Sequence, residues 1–107
     1  MIDQFLLVLC TCPGNAMAAT VATTLIEQNL AACVNRVQGI RSYFRWEGRL
    51  EQEDEVLLLI KTTQARFAAL EAAIRSVHPH QVPEIIAVPI TAGSEAYLQW
   101  VSNATAS

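Results

Sequence analysis

The chain has 107 residues and a formal net charge of -3, from 7 basic and 10 acidic side chains, and 52% of its residues are hydrophobic. That length fits one domain spanning residues 1–107, and the lack of a Lys/Arg cluster argues against a nucleic-acid partner, since phosphate binding needs a positive footprint. A lone domain of this size buries only about 60–68% of its unfolded surface, so so much apolar surface points to a homo-oligomer.

Met1-Ile2-Asp3-Gln4 opens on an acid, without the basic segment of a secretory leader. The apolar run after it is too short to cross a bilayer. A cytoplasmic chain with no membrane partner is expected. Three cysteines are an odd number and do not describe a closed disulfide framework.

Phe5 to Thr11 reads as a buried strand, stopped by Thr11-Cys12-Pro13-Gly14. Cys12 is expected at the exposed turn. Asn15 can cap a helix from Ala16 to Gln28, with Ala18, Val21, Ala22, Leu25 and Ile26 as its apolar stripe. Asn29 can take the left-handed conformation that ends it. Leu30 to Val37 is a second strand, and Gln38-Gly39 breaks or bulges it.

The stretch from Ile40 to Thr62 is a long hairpin that reverses at Glu47-Gly48. Ile40, Ser42, Phe44 and Trp46 alternate with Arg41, Tyr43 and Arg45, the side-chain period a strand imposes. Val56, Leu58 and Ile60 alternate with Leu57, Leu59 and Lys61 on the far arm. Five acids between Glu47 and Glu55 read either as a solvated arm that resists edge aggregation or as a cation attractant.

Thr63 can cap a second helix whose Phe67, Leu70, Ile74 and Val77 share one face. His78-Pro79 ends it, because the residue before proline is pushed out of helical geometry. After a linker to Pro83, Glu84 to Ile90 forms a strand that Pro89 confines to an edge or an end. Ser94 can cap a third helix anchored by Tyr97, Leu98, Trp100 and Val101, with a fraying tail from Asn103. The order predicts an α+β fold, a ferredoxin-like split βαβ sandwich with a long central β-hairpin and an extra C-terminal helix. Its two main helices cover one sheet face. The other face and the hairpin edges stay open in a monomer, so sister chains are expected to bury them.

Several residues offer chemistry. Cys10 and Cys12 fall on one strand face if the strand extends that far, and soft ligands of this kind favour Cu(I) or zinc. Cys10 and Cys33 read equally as small buried hydrophobes. His78 and His80 flank Pro79, as ligands or acid–base groups, or simply where a helix C-terminus favours histidine. Lys61 and Glu84 sit at the rims of what look like neighbouring strands and can pair, either structurally or lining a pocket. Tyr43, Trp46, Tyr97 and Trp100 are interface anchors or pocket walls. No nucleophile elbow, phosphate loop, dinucleotide fingerprint or HExxH motif occurs, so no enzyme is expected.

Ala32–Asn35 (ACVN), Ser42–Gly48 (SYFRWEG), Lys61-Thr62, His78–Ile85 (HPHQVPEI) and Tyr97–Trp100 (YLQW) together resemble the CutA family of divalent-cation tolerance proteins, in order and spacing over nearly the whole chain. The resemblance implies a tight homotrimer joined through its hairpins, and copper or other divalent metal ions as partners. The family's proposed copper ligands fall on Cys10 and His78. The preceding histidine position is Val77 here, His80 stands where an aromatic is usual and can compensate for the lost imidazole, and Cys12 can add a thiolate. The family's likeness in shape to PII signalling trimers implies an intersubunit cleft lined by Trp46, Lys61, His78 and Glu84, which suits a small ligand or partner protein. Fold analogy is weak evidence for function.

Overall fold

The structure, a computed structural model, describes residues 4–106; the opening Met1-Ile2-Asp3 and Ser107 lie outside the described residues. The elements are β1 (Phe5–Cys12), α1 (Asn15–Glu27), β2 (Cys33–Trp46), β3 (Arg49–Thr63), a 3-10 turn (Gln64–Arg66), α2 (Phe67–Val77), β4 (Ile85–Pro89) and α3 (Glu95–Ala104). They form the expected α+β fold. One sheet runs in the order β2-β3-β1-β4, with every neighbouring pair antiparallel.

Alternation sorts the sheet into two faces. Leu6, Val8, Cys10 and Cys12 of β1 stand level with Thr62, Ile60, Leu58 and Val56 of β3 and pack beneath the two main helices. Val21 and Leu25 of α1 and Leu70 and Ile74 of α2 meet them in one core. Thr62 satisfies its hydroxyl in this core by donating to the Leu30 carbonyl at 2.7 Å. The reverse face carries Leu7, Leu9, Leu57 and Leu59, continued by Ile86 and Val88 of β4. Ile86 and Val88 are exposed. α3 packs against β3, buries Val101, and leaves Tyr97 and Trp100 exposed, so those aromatics are not anchors within the chain.

The hairpin turns where expected. Glu47 and Gly48 have φ of 51° and 79°, the paired positive values of a type I′ turn. Between Val37 and Ile40 the register shifts, so that Gln38 and Gly39 oppose Val56 alone. Gly39, at φ 80°, supplies the left-handed residue of this bulge. β1 stops at the same level, its last pair being Cys12 with Val56. Beyond it the ribbon from Ile40 to Glu55 pairs only with itself, and the molecule is stretched to 46 × 25 × 22 Å.

Several local expectations are corrected. β2 starts at Cys33, because Leu30 and Ala31 belong to the turn that closes α1. In that turn Asn29, at φ 56°, lets the Leu30 N–H donate to the Leu25 carbonyl. Asn15 lies inside α1 and accepts from Gln38 Nε2 instead of capping, and Gly14 takes the cap position. Thr63 precedes the 3-10 turn without a side-chain cap bond. Ile26 is exposed. Ser94 does cap α3, accepting from the Tyr97 N–H, and the segment after Asn103 is tied down by Thr105, whose buried hydroxyl donates to the Val101 carbonyl. Pro89 lies on the edge strand β4, as its missing donor requires.

Candidate metal centre

β1 outruns its edge partner. Its pairing with β4 ends at Cys10–Ile85, whereas its pairing with β3 continues to Cys12–Val56. The strand therefore carries Cys12 inward. Cys12 is fully buried rather than exposed at the turn, because period two puts it on the same face as Cys10 beneath the helices. Pro13-Gly14 turns the chain only one residue later.

The end of α2 completes the cluster. Pro79 forces His78 into extended geometry at φ -76° and ψ 134°, which stops the helix. The buried His78 ring then reaches across 67 residues of sequence to the Thr11 carbonyl, 2.8 Å from Nε2. A ring nitrogen facing a carbonyl must carry the proton, and Nδ1 in turn accepts from the His80 backbone N–H at 3.2 Å. The neutral Nε2–H tautomer satisfies both bonds. Donor atoms of Cys10, Cys12 and His78 lie within 4.8 Å of one another.

Electrostatics splits the two thiols. The bond to Cys12, burial, and the charges of Cys12, Glu84 and Glu55 push Cys10 far above the ordinary thiol range. Cys12 is drawn down by the S–H of Cys10, against burial and Glu55. Two sulfurs and an imidazole form a soft donor set suited to Cu(I) or zinc, provided the thiols release their protons. Use of a His78 nitrogen requires release of the Thr11 carbonyl or the His80 N–H.

The other candidates separate. His80 lies outside this cluster. Its ring meets that of His78 edge-on at a centroid distance of 4.8 Å, and its Nε2 lies 3.9 Å from Glu53. Trp46 joins His80, Glu53, Phe44 and Pro79 around a hollow of about 370 Å³. Lys61 and Glu84 do not pair. β1 lies between their strands, and Lys61 is level with Val88 while Glu84 precedes Ile85 at the opposite end of β4. Lys61 instead donates to Asn35 and approaches the half-buried Cys33 sulfur at 3.9 Å. Cys33 is therefore no core residue; Tyr97 stands beside it, its phenol pushed up by burial and then by that neighbour. One buried carboxylate escaped the sequence reading. Glu55 is only 8% exposed. The available signal was its place next to the apolar run in the alternation with Leu57 and Leu59.

Fold and donor set define a class: a ferredoxin-like α+β chain with a buried thiol–imidazole cluster where β1 ends. The family model described as CutA1 divalent ion tolerance protein matches residues 6–104, and the chain belongs to that family. It is 45% identical over 98 residues to the divalent-cation tolerance protein CutA of Thermus thermophilus, covering 92% of this chain and 95% of that one. It is 44% identical over 97 residues to human protein CutA, covering 91% of this chain and spanning 54% of that longer protein. Among solved structures, CutA1 from Shewanella sp. SIB1 superposes with a TM-score of 0.94 at 37% identity, covering all of both chains. The Thermus thermophilus structure gives 0.92 at 42% identity, covering 98% of this chain and 100% of that one. No described helix is long and apolar enough to cross a membrane.

Proposed function

We propose that this chain binds a soft or borderline metal ion, copper first, through Cys10, Cys12 and His78, and that it does so as a homotrimer in the cytoplasm without catalytic turnover. The observation that carries the reading is the approach of three donors to within 4.8 Å, all buried, from segments far apart in sequence. Membership of a divalent ion tolerance family favours a metal as the ligand. Cys10 and Cys12 supply the thiolates. Val77 removes one imidazole from the copper set the family resemblance implies, and Cys12 offsets that loss with a sulfur. Copper, when bound, supplies a soft Lewis acid that the two sulfurs hold as a chelate.

Trimer formation is favoured by the apolar reverse face and by the self-paired ribbon, whose Tyr43 and Leu50 stand 65% and 70% exposed. Cu(I) titration tests the metal. The parent chain binds one ion per subunit, and Cys10→Ser and Cys12→Ser each weaken it. Unchanged stoichiometry and affinity in both variants would remove the assignment. A second reading, a PII-like scaffold trimer holding a small ligand or partner protein, is favoured by the hollow beside Trp46 and His80. Micromolar copper affinity and substoichiometric metal in untagged protein would shift the balance toward it.

A further inference from the structure

Glu55 poses an energetic problem. Its residue is 8% exposed, and Oε2 is shut off from solvent with no hydrogen-bond partner among the described residues. An ionised carboxylate held that way costs several kcal/mol unless a counter-charge meets it. Its four fellow acids in the run from Glu47 are not buried. Glu55 alone adjoins the base of the sheet, where the Ile40 pair follows the bulge.

Two further donors converge on it. Glu53 lies two residues along β3, on the same face, and His80 arrives from the segment after α2. One carboxylate oxygen from each glutamate and one ring nitrogen of His80 lie within 4.8 Å of one another. Glu53 is exposed and His80 half-buried, and both border the hollow of about 370 Å³, whereas Glu55 is buried and does not line it. An ion entering from the hollow therefore meets the exposed donors before the buried one.

We propose that Glu53, Glu55 and His80 form a second divalent-cation site, separate from the thiol cluster and taking a borderline ion of the zinc class. Two carboxylates neutralise a double positive charge, and one imidazole with two oxygens is a donor set that zinc accepts. The site differs from the thiol cluster in hardness. Cys10 and Cys12 stand on the β-face level with Val56 and Leu58, while Glu53 and Glu55 alternate onto the face of Leu57 and Leu59. The His78-Pro79-His80 turn spans the two sets, giving one imidazole to each. The chain thereby presents two adjoining donor sets, one for a soft and one for a borderline ion.

The test uses zinc sulfate alone as probe, by calorimetry on the full chain carrying Cys10→Ser and Cys12→Ser, which removes both sulfurs of the first cluster. One zinc per chain is expected to persist. Adding Glu55→Gln, which keeps shape and removes charge, lowers affinity about tenfold or more, as does His80→Ala. Zinc should raise the melting temperature of the Cys10→Ser, Cys12→Ser chain and not that of its Glu55→Gln derivative, so a variant that folds poorly is distinguished from one that has lost the site. Absence of zinc binding in this double variant overturns the proposal. Equal affinity before and after Glu55→Gln also overturns it. Failure of copper to bind the parent chain leaves this result independent, since the sulfurs of Cys10 and Cys12 are absent from the test.

Discussion

The base of the sheet and the hairpin arm are made from the same two strands, yet their side chains meet opposite fates. In the base, Val8, Leu58 and Ile60 are fully buried. In the arm, Tyr43 and Leu50 remain largely in solvent. Backbone pairing is alike in both, with β2 and β3 in register on either side of one bulge. The difference is what stands behind them. Below Val56 a third strand and two helices supply apolar partners, and above it, among the described residues, only the short segment after α2 approaches, beside Trp46 and Glu53. A ladder of hydrogen bonds sets where strands lie, while burial depends on the layer against them.

The sharpest way to break this comparison is in the base. Leu58→Ala removes a fully buried side chain beside Cys10 in the core beneath the helices, and about 2–5 kcal/mol of stability should go with it in urea unfolding at fixed protomer concentration. A loss below about 1 kcal/mol would mean that the base is not the tightly packed half. In the arm, Leu50→Glu should leave the circular dichroism of the subunit intact and weaken self-association about tenfold or more, since a charge would enter an interface. Unchanged sedimentation equilibrium would show that this part of the arm does not meet a neighbour.

Gly48→Ala comes next, at about 1 kcal/mol, because φ of 79° is left-handed backbone that a Cβ disfavours. The same exchange at Gly14, where φ is -176°, should cost less, and equal losses would deny the turn its special role. The pH dependence is subtler. Cys10 is raised by its bond to Cys12, by burial, and by Cys12, Glu84 and Glu55, so the folded chain keeps a proton that the unfolded chain gives up near the ordinary thiol value. Above about pH 8.5 the unfolded state then binds fewer protons, and stability falls as pH rises. Cys10→Ser should flatten that slope in melts taken from about pH 7 to about pH 10. The smallest effect belongs to Arg41→Ala, which breaks an exposed 2.7 Å pair with Asp54 and should barely move the melt.

Legibility followed the range of the interactions. Alternation in Ile40–Trp46 and Val56–Lys61, the left-handed Asn29, the Glu47-Gly48 reversal and the Ser94 cap are local, and the sequence displays them directly. Asn15 and Thr63 are local too, but other partners won. Gln38, in the bulge, claims the Asn15 side chain, and Thr63 ends a strand paired with Phe5. The cysteines show the limit more clearly. Pro13-Gly14 suggested that Cys12 lies in a turn, yet pairing with Val56 holds the strand straight for one residue more and buries it. His78 carried no ligand spacing to Cys10 in the chain, because the distance that matters is closed by the Thr11 carbonyl across 67 residues.

By itself the sequence determined the element types and order, the hairpin and its turn, the apolar faces, and through its motifs the family resemblance. Each of these depends on side-chain period, capping and backbone freedom within a few residues. Tertiary structure alone decided that Cys10, Cys12 and His78 converge, that Lys61 and Glu84 do not, and which acid of the hairpin run is buried. Those outcomes depend on strand order and on where β1 and β4 stop, so they arise only once segments distant in the chain are packed together.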